Sequence, residues 1–149
     1  MVNNMTESFI TTRIKVVVDK TGLDSLPSDG IFSPLKDIVD DISNRLDESA
    51  ENIGDASANQ LLQSEELYYN EHTHPYETGV GRDSFYTETT SNLEWLVDNS
   101  AENNGFPYLV TDELGDNPGR VLEPHPFAEP GREALITDLD SMWVEVSTL

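Results

Sequence analysis

From Ser33 onward the apolar residues recur at spacings of three and four along an unusually long stretch. Leu35, Ile38, Val39, Ile42, Leu46, Ala50, Ile53, Ala56 and Ser57 fall on one stripe, Gln60 and Leu61 continue it, and the pattern fades near Leu67. That period belongs to an amphipathic helix. Ser33 reads as its N-cap and Pro34 as its first helical residue, where the missing N–H costs nothing. A helix over 34–67 would be a rod of roughly 50 Å, longer than a small domain is wide. A domain of 149 residues cannot bury the whole stripe, so part of it is expected against a neighbouring subunit. The alternative is a break near Gly54 giving a helical hairpin, since a glycine inside a helix costs roughly 1 kcal/mol.

The remaining segments read as strands and one more helix. Residues 9–18 alternate, with Ile14, Val16 and Val18 on one face and Arg13 and Lys15 on the other, as in a half-buried strand. After a polar loop over 67–81, residues 84–114 suggest further strands. Phe85, Thr87 and Thr89 alternate before a Ser91-Asn92 turn, Leu93, Trp95 and Val97 alternate after it, and Phe106 to Leu114 forms a third extended run. A loop then leads to a helix over 130–146, with Pro130 just inside its start and Leu135, Ile136, Leu139, Met142, Trp143 and Val146 as its stripe. Glu129 and Glu133 sit in its first turn, where negative charge favours the dipole. The expectation is one α+β domain spanning 1–149. Its antiparallel sheet of about four strands is covered by one long N-terminal helix and one C-terminal helix.

Charge narrows the setting. Twenty-nine acidic residues face eight basic ones, for a formal net charge of -21. Disorder does not fit, because apolar periods are clear and aromatics run the length of the chain. The acids are scattered and form no tail. Such a spread suits a surface adapted to molar salt, which screens charges to within about 3 Å; mimicry of a polyanion for a basic partner is the rival explanation. The balance disfavours direct binding to nucleic acid or to an anionic membrane. The chain has no cysteine and so no disulfide or thiolate site. No apolar run approaches a membrane span, and the first residues lack the features of a secretory signal, so a soluble protein made in the cytoplasm is expected.

Candidate chemistry is sparse. His72 and His74 with Glu71 and Glu77 have ligand types that suit a metal, but the spacing is not a ligand register, and solvated loop histidines are the better reading. Gly79-Val-Gly81 lacks the lysine and following helix of a phosphate cradle. His125 lies between two prolines, and no nucleophile, base and orienter come together in the sequence. Neither enzymatic activity nor a metal or cofactor is expected.

Several short motifs carry a resemblance. Pro75-Tyr-Glu-Thr-Gly79 precedes a strand opening Arg82-Asp-Ser-Phe85. Pro107-Tyr108 and Thr111-Asp-Glu-Leu-Gly115 follow, then Pro126-Phe-Ala-Glu-Pro130 opens the last helix. In this order the segments resemble the head–tail joining proteins of long-tailed phages, also called neck or tail-completion proteins, over about residues 10 to 146. Thr78, Gly79 and Ser84 match the family's first features, Tyr108, Glu113 and Gly115 the second, and Pro126, Phe127 and Pro130 the helix start. Leu114 between Glu113 and Gly115 departs from the family pattern.

The resemblance implies a structural virion protein of the neck, forming a homo-oligomeric ring, expected as a hexamer, between the portal-side connector and the tail. DNA would pass through without specific binding. With the acidic composition, it suggests a tailed virus of a halophilic archaeon. Phe127, held by Pro126 and Pro130, would be a packing anchor. The loop carrying Asp116, Asn117, Arg120 and Glu123 would dock the neighbouring neck, connector and tail proteins. The competing readings are an acidic interaction or regulatory module of a halophile and a small carboxylate hydrolase.

Overall fold

The computed structural model describes residues 10–27, 29–71, 80–102, 109, 113, 116–117, 120–121, 126–139 and 144–148. The chain is α+β. Its first strand, β1 (Thr12–Val16), is followed by a single helical turn, α1 (Thr21–Asp24), and then by α2 (Ser33–Glu71). A hairpin, β2 (Phe85–Ser91) and β3 (Glu94–Asn99), comes next. Two-residue strands β4 (Asp116–Asn117) and β5 (Arg120–Val121) pair only with each other. Helix α3 (Ala128–Asp138) and strand β6 (Val144–Thr148) complete the order. The antiparallel sheet runs β2-β3-β1-β6. Register places Ile14 opposite Trp95 on one side and Val146 on the other.

Three of these strands are the expected ones; the remaining membership is not. Leu109 and Glu113, in the stretch read as a third strand over 106–114, are helical. Both are buried and one turn apart, which is a helix face, not an alternating strand. The last helix ends at Asp138 instead of running to 146, and Val144–Thr148 is a strand hydrogen-bonded to β1. Its β-branched alternation Val144, Val146, Thr148 favours the pleat. The first strand is shorter than 9–18, and the hairpin turns at Asn92-Leu93, one residue later than expected, with Leu93 at φ 58.

Helix α2 runs unbroken through Gly54, against the hairpin alternative. A Cβ on Gly54 would lie 2.0 Å from the Trp95 ring. The glycine is there because the indole occupies the space a side chain would need, and this close packing outweighs its low helix propensity. The indole N–H donates to Asp55 Oδ1 at 2.7 Å, so burying Trp95 leaves no orphan donor. The helix is entered through a 3-10 turn, Gly30–Phe32, and Ser33 already has helical dihedrals, so it is not the N-cap expected.

The core divides into two clusters on one face of the sheet. Ile14, Val16, Trp95 and Val97 of the sheet pack against Ala50, Ala58 and Leu61 of α2 and Leu135 of α3. Beyond them, Ile10, Tyr69, Ala101, Leu109, Phe127 and Ala128 form the second. On the opposite sheet face Arg13 is half-buried, while Lys15, Tyr86 and Glu88 are exposed.

Candidate functional site

The second cluster is where Phe85, Glu113 and Phe127, the described parts of three motif segments, meet. Tyr69, Phe85 and Phe127 form a triangle of edge-to-face rings with centroids 5.5–5.7 Å apart, an arrangement the ring quadrupoles favour. Phe127 is 1 % exposed. It therefore joins the end of α2, the start of β2 and the start of α3; its neighbours Pro126 and Pro130 are half-buried.

Beneath Phe127 lies a side chain the resemblance singled out without explaining. Glu113 Oε2 accepts from the backbone N–H of Phe127 at 2.7 Å and of Ala128 at 2.9 Å, and Oε1 accepts from that of Glu129 at 2.9 Å. A helix begins with N–H groups that have no intrahelical partner. Here three of them are taken by one carboxylate, and the next residue, Pro130, has no N–H to satisfy. The first bond within the helix, Gly131 N–H to Phe127 C=O at 3.2 Å, follows at once. The negative charge also opposes the positive end of the helix dipole, and three charge-assisted bonds offset the burial of Glu113.

A second carboxylate near this point is not satisfied. Glu65 of α2 is fully buried and neither carboxyl oxygen has a hydrogen-bond partner. A Cβ on Gly131 would lie 2.8 Å from Glu65 Cγ, so α3 crosses α2 directly over this side chain. Burial pushes its carboxyl well above the usual carboxylate range; Arg132 opposes that shift, while Glu113 and Asp98 add to it. Arg132 also donates to Thr12 Oγ1 at 3.2 Å. The sequence carried one signal for Glu65, its position a turn after Leu61 on the apolar stripe of α2. Nothing comparable announced Trp95 as the partner of Gly54.

The other residues singled out from the sequence are dispersed or undescribed. Ser84 ends a 3-10 turn, and its hydroxyl donates to the Val80 carbonyl while its own carbonyl accepts from Ser100 N–H. It closes a loop and does not join Glu113 and Phe127. Asp116, Asn117 and Arg120 lie in the small β4–β5 ribbon. Thr78, Gly79, Tyr108, Gly115 and Glu123, and the histidines 72, 74 and 125, lie outside the described residues.

Among the described residues no three metal-ligating side chains lie together. A shallow cleft of about 230 Å³ between α2 and the hairpin turn is lined by Glu51, Asp55, Thr89, Asn92, Leu93 and Trp95, smaller than the usual small-molecule site. No described helix is long and apolar enough to cross a membrane. Comparison with protein-family models, curated proteins and solved structures returns no match.

Proposed function

We propose that the protein is a structural subunit of a virion neck, assembling as a ring between the portal-side connector and the tail. The observation that carries this reading is the contact between Glu113 and the amides of Phe127, Ala128 and Glu129. Two motif segments that suggested the family, about fourteen residues apart, act as one unit that fixes the last helix to the core. The β4–β5 ribbon lies in the chain between those segments, and a loop between anchored elements is a usual place for contacts with a partner. The acidic surface, at a net charge of -21, would repel DNA in the channel and let it slide.

Electron microscopy of the purified protein in molar salt tests the reading. Closed rings with a central channel are the expected result. Particles without a channel, from a gene whose neighbours encode no portal, capsid or tail-tube protein, would contradict it.

A further inference from the structure

Helix α3 is fastened to the rest of the fold at three levels. At its start, Glu113 accepts from the amides of Phe127, Ala128 and Glu129, and Phe127 packs on Tyr69 of α2. At its far end, Gln60 of α2 donates from Nε2 to Asp138 Oδ2 at 2.6 Å. Between these, Gly131 passes over Glu65, whose Cγ lies 2.8 Å from where a Cβ would stand. The apolar seat is small. The buried residues of α3 are Ala128, Gly131 and Leu135, and only Leu135 has a side chain larger than a methyl.

The middle level has no polar compensation. Glu65 is fully buried, and neither carboxyl oxygen has a hydrogen-bond partner. Burying an ionised carboxylate without hydrogen bonds costs far more than burying the neutral acid, so such a group keeps its proton. The charged groups that face it do not reverse this. Burial is the largest influence; Arg132 on α3 favours the ionised form, while Glu113 and Asp98 of β3 disfavour it. Arg132 is also engaged by β1, where it donates to Thr12 Oγ1 at 3.2 Å. One helix thus lies on two carboxyls in contrasting settings: Glu113 holds it through filled acceptors, and Glu65 sits under it with every acceptor empty.

We propose that α3 is a proton-gated clasp: it stays seated on α2 while Glu65 is neutral and lifts from it when Glu65 ionises. Lifting brings water to the carboxylate and gives up only the small apolar seat. The packing of α2 on the sheet through Ala50 and Trp95 lies further back along the helix and can remain. Lifted, Glu65 ionises in the ordinary carboxylate range; seated, it keeps its proton to higher pH. Below the lower of these values the clasp is closed. Between them the ratio of lifted to seated chains rises about tenfold per pH unit, and above the higher it levels off. Rising pH therefore bares Leu61 and Leu135, both buried in the seated form. One copy of the chain suffices, so the clasp does not depend on the neck reading.

Amide hydrogen exchange read by NMR on the full chain, from about pH 5 to about pH 8, tests it. The amides of residues 133–138 report the opening of α3, and those of β1 and β3 report the sheet. Comparing wild type with Glu65→Gln at each pH removes the intrinsic pH dependence of exchange. The expected result is that α3 amides exchange faster than those of the sheet. Their protection in wild type should fall relative to the variant by about tenfold per pH unit until the seated value of Glu65 is passed. Glu65→Met, which has no proton to lose, should behave as Glu65→Gln does. NMR titration of the Glu65 side-chain carboxyl carbon in wild type needs no variant and should give a midpoint above the ordinary carboxylate range. A ratio that does not change with pH would overturn the proposal. So would α3 amides that exchange only together with those of β1 and β3, or a Glu65 midpoint in the ordinary range.

Discussion

The two halves of α2 share one period and one stripe but not one kind of side chain. From Ala50 onward the stripe that faces the sheet is built from small residues, Ala50, Gly54, Ser57 and Ala58, before Leu61. Before Ala50 it is built from large ones, of which Val39 and Leu46 are half-buried and Leu35, Ile38 and Ile42 exposed. A helix that lies close on a sheet needs thin side chains where a ring such as Trp95 fills the space between them. Ile38 and Ile42, to one side of that face, have no such neighbour among the described residues. Periodicity therefore identifies the buried-type face, and side-chain size shows which part of it the domain itself covers.

Substitutions that enter the packed half give the largest effects. Phe127→Ala, which opens the triangle with Tyr69 at the far end of α2, should cost about 3–5 kcal/mol in chemical denaturation; a loss under about 1 kcal/mol would mean the anchor is not packed as described. Gly54→Ala should cost about 2–3 kcal/mol through overpacking against Trp95. The same substitution at Gly22, where a Cβ meets nothing within 4 Å, should not destabilise. If both glycines tolerate alanine alike, the close approach of α2 to the sheet is wrong.

Glu113→Gln keeps the shape but replaces one acceptor oxygen with an NH2 donor, so at least one of the three helix-initiating amides loses its acceptor, and should cost about 1–2 kcal/mol. A smaller pH-dependent effect belongs to Glu65. Its folded-state carboxyl titrates above its unfolded value, so the folded chain holds an extra proton between the two. The contribution is fully present below the unfolded value and is lost as pH rises through the folded one. Denaturation curves of Glu65→Gln against wild type should show the variant gaining relative stability as pH rises through that window. A pH-independent difference would mean Glu65 ionises freely in the fold. In the exposed half, Ile38→Ala should move the monomer's stability by no more than about 0.5 kcal/mol, and Lys36→Ala should leave its melting midpoint unmoved.

Much of this architecture was legible in the residues. The long helix, the first strand, the hairpin and the stripe's excess over one domain's needs all follow from periods of 3.6 and 2. Other elements were misread where two patterns compete. Phe106 to Leu114 has the aromatic and β-branched content of a strand, yet Leu109 and Glu113 are four apart, and Pro107 before them with Gly115 after them is also the punctuation of a short helix. Trp143 and Val146 continue the phase of the last helix, but Val144, Val146 and Thr148 alternate as a strand, and β1 had an open edge to receive them. The Glu113 cap could not be read at all, because its partners are backbone amides with no residue code. The same holds for the depth of Glu65, which is set by where α3 crosses α2.

The contrast between the halves of α2 can be measured directly by amide hydrogen exchange in molar salt at low and high protein concentration. The account predicts that residues 50–69 are protected equally at both concentrations. Residues 31–49 should exchange faster at both. Equal protection of both halves would contradict the claim that the sheet and the last helix cover only the second half of α2.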